Sequence, residues 1–296
     1  MSGSPPDEAR RVVFRGFGGI ELVADARGPA DGWPVLFLHG GGQTRHAWGG
    51  TAGVIAGHGW RAISLDLRGH GESGWAPNGD YSFTAFCADC VSVVDQLGRP
   101  PVIVGASLGG VSALLAEGTS DRTVSSGLVI VDVTHKSNPA GVARIQDFMR
   151  SGLTGFATLE DAAEAIAAYT PNRPKRINPE GLKRVLRLRE DGRWHWHWDP
   201  AFLDGPRTEM PPEDRMELLA LAVAEVRVPT LLVRGALSDV VTDDGVADFL
   251  QKVPSARVFE VPGAAHMVAG DRNDVFAGAV LDFLDHDIAL SSRRSD

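Results

Sequence analysis

The sequence carries a serine in a spacing that is typical of a nucleophile. Ser107 lies in the segment VIVGASLGG (102–110), with Gly105 and Gly109 two positions away on either side. This Gly-x-Ser-x-Gly pattern follows a short apolar run that predicts a buried strand, and it precedes a segment with helical periodicity. A serine on such a tight strand-to-helix turn has strained backbone, so it needs small neighbours, and its hydroxyl is exposed above the sheet. The pattern therefore predicts that Ser107 is a nucleophile.

His266 is the histidine best placed to act as the base that a serine hydroxyl needs. It lies in a loop after the last predicted strand, 257–261, and before the last predicted helix. This position is at the carboxyl edge of a parallel sheet, where Ser107 also lies. His286 falls within the terminal helix, so it is expected to be a solvated or packing residue.

Two aspartates could supply the carboxylate that fixes the tautomer of the base. Asp239, in the segment GALSD, follows the predicted strand 229–233 and gives the chain order Ser, Asp, His that is expected for this kind of sheet. Asp132 follows the predicted strand 127–131 and also lies at the carboxyl edge, so the sequence leaves it open. We predict Asp239 as the acid and keep Asp132 as the alternative.

A glycine-rich segment supplies candidate donors for an oxyanion. Residues 38–43, LHGGGQ, follow a buried apolar run, and their three glycines allow backbone N–H groups to approach a substrate closely. The N–H groups of Gly41 and of Leu108, which starts the helix after the serine, are the predicted pair. A phosphate-binding loop is not indicated, because no Gly-Lys-Ser/Thr follows and the Gly-x-Gly-x-x-Gly spacing is missing.

Short β-rich apolar runs alternate with segments of helical periodicity through most of the chain. After a hairpin over 12–17 and 20–27, we predict strands at 34–39, 61–65, 101–105, 127–131, 229–233 and 257–261. We predict helices at 44–58, 82–97, 107–118, 243–252 and 271–287. This alternation indicates βαβ units, and therefore an α/β fold with a doubly wound, mostly parallel sheet.

The stretch Thr134–Glu213 interrupts that alternation. It carries predicted helical segments at 159–169 and 179–189 and the aromatic run WHWHW (194–198), but no convincing buried strand. We predict an inserted helical cap over 134–213 on a core formed by 1–133 and 214–296. The three tryptophans are expected to pack within the cap; the alternative is that the run lines the pocket with an imidazole near the substrate.

Basic residues are frequent in the predicted cap, and we expect them to form a solvated face. They are Arg173, Lys175, Arg176, Lys183, Arg184, Arg187 and Arg189. The alternative is that they attract an anionic substrate.

Composition excludes several classes of protein. The chain has 296 residues, of which 43% are hydrophobic and 23% charged, so it can bury a core without disulfides or metal. Its net charge of −9 argues against nucleic acid and anionic membranes as partners, and we expect a small-molecule substrate. Cys87 and Cys90 fall in a predicted helix without a second pair, so we expect reduced thiols. The first residues resemble no signal peptide and no apolar run is long enough to span a membrane, so we expect a cytoplasmic protein.

Five motifs together resemble those of the α/β-hydrolase fold family, particularly its bacterial esterases, cofactor-free haloperoxidases and C–C bond hydrolases. The motifs are HGGGQTRHAW (39–48), DLRGHGES (66–73), GASLGG (105–110), GALSDVV (235–241) and GAAHMV (263–268). The resemblance covers nearly the whole chain except 134–213, where such proteins carry a variable helical cap. It implies a triad of Ser107, Asp239 and His266, oxyanion donors at Gly41 and Leu108, a structural turn at 66–74, and neither cofactor nor metal.

The resemblance also limits the type of reaction that we expect. Similar epoxide hydrolases and haloalkane dehalogenases place an aspartate at the nucleophile position, whereas this chain has Ser107. We therefore expect hydrolysis of a small-molecule ester or lactone through an acyl-enzyme on Ser107. A C–C bond hydrolase or a cofactor-free haloperoxidase or perhydrolase would use the same triad. A non-catalytic ligand-binding protein of this fold is the remaining alternative.

Overall fold

Ten strands are present in the computed structural model, which describes residues 9–170, 178–204, 210–271 and 273–288. In chain order they are β1 (Arg10–Arg15), β2 (Glu21–Arg27), β3 (Pro34–Leu38), β4 (Arg61–Leu65), β5 (Val102–Ala106), β6 (Gly127–Val131), β7 (Leu186–Leu188), β8 (Trp194–Trp196), β9 (Thr230–Gly235) and β10 (Arg257–Val261). Eight of them form one sheet in the order β1-β2-β4-β3-β5-β6-β9-β10. β1 and β2 are antiparallel to their neighbours, and the other six strands are parallel. The predicted α/β fold with a mostly parallel sheet is confirmed.

Helices cover both faces of this sheet. They are α1 (Gly49–Gly57), α2 (Phe83–Asp95), α3 (Leu108–Thr119), α4 (Pro139–Ser151), α5 (Leu159–Tyr169), α6 (Ala201–Asp204), α7 (Pro212–Ala224), α8 (Asp243–Lys252), α9 (Val268–Asp271) and α10 (Asn273–Phe283). Polar side chains start several of them: Ser82 accepts the N–H of Ala85, and Thr158 forms a capping box with Asp161. Among the described helices, none is both long enough and apolar enough to cross a bilayer.

The central strands are buried on both faces, which explains their continuous apolar sequences. Every residue of β3 and of β6 is buried. Successive side chains of a strand point to opposite faces. Leu36 and Leu38 accordingly join the hydrophobic core on one side of the sheet, and Val35 and Phe37 join the core on the other side.

The segment between β6 and β9 differs from its predicted course. The helix predicted over 179–189 is wrong in its second half, because a 3-10 helix ends at Arg184 and β7 then pairs with β8 in an antiparallel ribbon. Helices α4 and α7 were not predicted. The predicted boundary at 213 lies inside α7, which packs on α3 so closely that a β-carbon at Gly118 would lie 2.0 Å from the Ala222 carbonyl oxygen.

Cys87 and Cys90 are free thiols within α2. Cys90 is buried, Cys87 is partly buried, and burial raises the pKa of both thiols. Both side chains therefore remain protonated near neutral pH and pack as small apolar groups.

Candidate active site

Ser107 occupies the sharp turn between β5 and α3. Its backbone angles, φ 48° and ψ −113°, are rare for any residue other than glycine. The two flanking glycines make this turn possible. A β-carbon at Gly105 would lie 2.5 Å from the Gly109 carbonyl oxygen, and one at Gly109 would lie 2.3 Å from the Leu38 carbonyl oxygen. The spacing that marked Ser107 in the sequence therefore has a steric cause.

His266 contacts a buried carboxylate. Its Nδ1 lies 2.8 Å from Oδ2 of Asp132, which is fully buried at the end of β6. Asp132 also accepts the Gly235 N–H at 3.0 Å and the Ser238 hydroxyl at 2.6 Å. With its carboxylate thus held, Asp132 keeps the proton of His266 on Nδ1 and leaves Nε2 free to accept a proton.

Asp239 lies elsewhere, so the prediction that it orients His266 is wrong. Its carboxylate is 2.5 Å from Nη2 of Arg144 on α4, and its backbone carbonyl accepts the Asn138 side-chain N–H at 3.0 Å. The turn after β9 directs Ser238 toward Asp132 and directs Asp239 toward the helix that follows β6. The carboxylate that pairs with His266 is that of Asp132, the alternative that the sequence left open.

In the glycine-rich loop after β3, two backbone N–H groups are hydrogen-bonded to described residues and the one between them is not. The N–H of Gly40 donates to Oε1 of Gln43 at 3.0 Å, and the N–H of Gly42 donates to Nε2 of His70 at 3.1 Å. Within the described residues, the N–H of Gly41 between them has no hydrogen-bond partner. The loop is therefore fixed by its neighbours while the predicted donor stays available.

Leu108 is the second predicted donor. It is the first residue of α3, and an N–H in the first turn of a helix has no intrahelical acceptor. The positive end of the helix dipole is at the same place. The loop after β3 adjoins it: a β-carbon at Gly41 would lie 3.9 Å from the Leu108 side chain, and one at Gly40 would lie 3.5 Å from Cβ of Ser107.

A cavity of about 750 Å³ adjoins these groups. Ser107, Leu108, Gly41 and His266 are all part of its wall. The segment between β6 and β9 supplies much of the rest, including Ile145, Phe148, Ile166, Tyr169, Trp196 and Trp198. Binding sites for small molecules have volumes of roughly 300–1,000 Å³ and are lined mainly by apolar and aromatic side chains. The cavity fits that description.

Comparison with protein families identifies the group to which this architecture belongs. The pattern of the alpha/beta hydrolase family matches residues 35–279, which is most of the chain. The chain belongs to the alpha/beta hydrolase family.

Known members of the family are similar over most of their length. The esterase Rv0045c of Mycobacterium tuberculosis is 29% identical over 80% of this chain and 78% of that protein. Its crystal structure aligns with a TM-score of 0.71 at 28% identity, over 96% of this chain and 92% of that one. A 3-hydroxybutyrate-oligomer hydrolase of Cupriavidus necator is 26% identical over 80% of this chain and 84% of that protein. The structure of E-2-(acetamidomethylene)succinate hydrolase has the same fold, with a TM-score of 0.81 at 22% identity over 94% of this chain and 100% of that one.

In this alpha/beta hydrolase, three buried histidines lie between the loop after β3 and residues 67–71. The rings of His39, His70 and His197 follow one another with centroid distances of 5.1 and 6.0 Å. Nε2 of His39 accepts the Leu67 N–H at 3.0 Å, and Nδ1 of His197 accepts the Gly71 N–H at 2.6 Å. Burial lowers the pKa of His39 and that of His197 to about 3, so both rings are neutral acceptors near neutral pH.

The WHWHW run is divided between the cavity and the protein interior. Trp196 and Trp198 line the cavity. The imidazoles do not: His195 pairs with Asp191 at 2.7 Å, and His197 accepts the backbone N–H described above. Pocket-lining groups therefore do come from this run, but they are the indoles.

Basic residues of the predicted cap are mostly exposed. Lys183, Arg187 and Arg189 face solvent, whereas Arg184 is exposed and also borders the cavity. Arg173, Lys175 and Arg176 lie outside the described residues. No group of three or more potential metal ligands occurs among the residues that the structure covers.

Proposed function

We propose that this protein is a serine hydrolase that cleaves small-molecule carboxylic esters or lactones through an acyl-enzyme on Ser107. One observation carries the proposal: a serine in a strained turn borders the same cavity as a histidine that is held by a buried aspartate. An esterase and a 3-hydroxybutyrate-oligomer hydrolase among its relatives support hydrolytic chemistry.

In the proposed first step, Nε2 of His266 takes the proton of Ser107, and Oγ of Ser107 attacks the carbonyl carbon of the ester. The carbonyl oxygen becomes an oxyanion that accepts the N–H groups of Gly41 and Leu108. Loss of one such donor typically raises the barrier by about 2.7–4 kcal/mol. His266 then donates its proton to the leaving alcohol, and Asp132 stabilises the imidazolium while it exists.

In the proposed second step, His266 takes a proton from water, which attacks the acyl carbon. Collapse of the second tetrahedral intermediate releases the carboxylic acid and returns the proton to Ser107. We further propose that residues 134–213 act as a cap, since side chains of α4, α5 and the β8 region complete the wall of the cavity.

The experiment is turnover of p-nitrophenyl butyrate by the wild-type protein and by Ser107→Ala. We expect the variant to lose at least about three orders of magnitude in kcat, because no other described group replaces the nucleophile. A fluorophosphonate probe should label the wild type and fail to label the variant. If Ser107→Ala kept the wild-type turnover, the proposal would be wrong. Cleavage of a vinylogous diketone or peroxide-dependent halogenation, with no esterase activity, would favour the alternatives that use the same triad.

A further inference from the structure

The side chain of Gln43 joins two loops of the candidate active site. Its Oε1 accepts the Gly40 N–H at 3.0 Å in the loop after β3, and its Nε2 donates to Sδ of Met267 at 3.1 Å. Met267 directly follows His266 in the loop after β10. A backbone N–H can only donate, so the carboxamide oxygen must face Gly40 and the nitrogen must face Met267. The carboxamide therefore connects the loop of the predicted oxyanion donor with the loop of the base.

These two loops follow strands that are not neighbours in the sheet. The strands β5, β6 and β9 lie between β3 and β10. Adjacent strands are about 4.8 Å apart, so the distance from β3 to β10 is roughly 19 Å. Contact between Gln43 and Met267 therefore requires both loops to fold inward over the ends of the strands between them. Gln43 and Met267 border the same cavity as Ser107 and His266.

The backbone of Gln43 fixes the direction of the Gly41 N–H. The N–H of Gln43 donates to the Gly40 carbonyl at 3.1 Å and closes a four-residue turn in which Gly42 has a φ of 79°. The same carbonyl accepts Nδ1–H of His39 at 2.8 Å. In a trans peptide the carbonyl oxygen and the following N–H point in opposite directions. Because the Gly40 carbonyl is held by two donors, the Gly41 N–H points away from both of them.

The loop after β3 needs such contacts because its three glycines have the greatest conformational freedom of any residue type. An oxyanion donor must lie about 2.7–3.1 Å from the position of the oxyanion. A β-carbon at Gly40 would lie 3.2 Å from Oε1 of Gln43 and 3.5 Å from Cβ of Ser107. Gly40 is therefore packed between the carboxamide and the nucleophile. A shift of Gly40 would change the distance between the Gly41 N–H and Ser107.

We propose that Gln43, held by Met267, is a positioning residue that keeps the Gly41 N–H at the distance from Ser107 that an oxyanion donor needs. The oxyanion forms in both proposed steps, so loss of this positioning slows formation and hydrolysis of the acyl-enzyme alike. Binding of the intact ester does not use the developing charge, so KM changes little. The inference rests on the proposed ester hydrolysis.

A kinetic experiment compares Gln43→Ala with the wild type on p-nitrophenyl butyrate. We expect kcat to fall at least about tenfold and KM to change less than about threefold. Gln96→Ala is the matched control, since the Gln96 carboxamide also accepts a backbone N–H, that of Arg15 at 3.1 Å, but lies outside the cavity wall. Its kcat should stay within about twofold of wild type. Equal losses of kcat in the two variants, or a change confined to KM, would overturn the inference.

An inhibitor that resembles the transition state measures the same effect without turnover. A trifluoromethyl ketone forms a hemiketal with Oγ of Ser107, and the former carbonyl oxygen then occupies the oxyanion site. Gln43→Ala should weaken its binding by roughly the factor by which kcat falls, whereas Gln96→Ala should leave its binding unchanged. If Gln43→Ala bound the ketone as tightly as the wild type, Gln43 would have no positioning role.

Met267→Leu is a second variant that keeps the inference testable if Gln43→Ala does not fold. Leucine preserves the side-chain volume but removes the sulfur acceptor, so kcat should fall about threefold. In the Gln43→Ala background the same substitution should have no further effect, because the donor is already absent. An unchanged kcat in Met267→Leu, or additive losses in the double variant, contradicts the inference. Failure of the proposed hydrolysis would appear instead as ester turnover that survives Ser107→Ala.

Discussion

At the scale of single residues, the proposed mechanism depends on the carboxylate that holds His266, because this contact sets which ring nitrogen carries the proton. We expect Asp132→Asn to lower kcat for p-nitrophenyl butyrate by about 10⁴-fold, the size of effect known for this change in serine triads. The asparagine amide would donate to Nδ1 and leave the proton on Nε2, where it blocks proton transfer from Ser107.

Asp239→Asn is the matched control for this prediction. Asp239 is partly exposed and pairs with Arg144, so its loss should change kcat less than about threefold. Circular dichroism should show that both variants fold. If Asp239→Asn lost more activity than Asp132→Asn, the acid of the triad would be Asp239, as predicted from the sequence, and not Asp132.

The two aspartates also show what residue types and chain order can predict. Ser107 and His266 each followed from one local pattern, and the structure places both on one cavity. The identity of the carboxylate did not follow from a local pattern, because Asp132 and Asp239 both follow parallel strands and both satisfy the expected chain order. Only the path of the turn after β9, which brings Ser238 rather than Asp239 to Asp132, separates them. On that path Asp239 contacts Arg144 of α4 and the Asn138 side chain that caps it, and α4 is not among the predicted helices.

At the scale of elements, the accuracy with which the sequence predicts a strand or a helix depends on the length and periodicity of the segment. The parallel strands were predicted to within one or two residues because their near-continuous apolar runs have few alternative structures. The ribbon β7–β8 has only three residues in each strand, too few for a period to appear. Its stability comes from contacts with other elements, such as the pairing of Trp194 with Phe156.

The contact between the β8 region and the loop 66–74 predicts a pH dependence of stability. His197 has a pKa of about 3 in the folded protein and about 6.5 when unfolded, so below pH 6.5 the unfolded chain binds more protons. Stabilisation by the neutral ring is complete above pH 6.5 and is lost progressively as the pH falls toward 3. At pH 5, the contribution of His197 lowers the free energy of unfolding by about 2 kcal/mol relative to neutral pH.

Urea unfolding of wild type and His197→Asn at pH 7.5 and pH 5 measures this contribution. An asparagine oxygen can still accept the Gly71 N–H, but it does not titrate. The drop in stability between the two pH values should therefore be smaller in the variant by about 2 kcal/mol. Identical drops in the two proteins would show that His197 does not contribute to this dependence.

At the scale of the whole molecule, the large apolar cavity between the sheet edge and the cap segment predicts a preference for extended acyl chains. Each buried methylene group contributes about 0.8 kcal/mol, or up to about fourfold in kcat/KM if it is buried in the transition state. We expect kcat/KM to rise from p-nitrophenyl acetate through butyrate to hexanoate. The rise in kcat/KM should stop at the acyl-chain length that reaches the far wall of the cavity. A bulkier side chain at that wall should make the rise stop at a shorter acyl chain.

Ile145→Trp tests the role of the cap in that preference, because Ile145 lies on α4 and borders the cavity. Leu221→Trp is the control, because Leu221 is 63% exposed on α7 and outside the cavity wall. The first variant should favour shorter acyl chains, while the second should keep the wild-type profile. If chain length made no difference in the wild type, or both variants changed the profile equally, the acyl chain would not be held between cap and core.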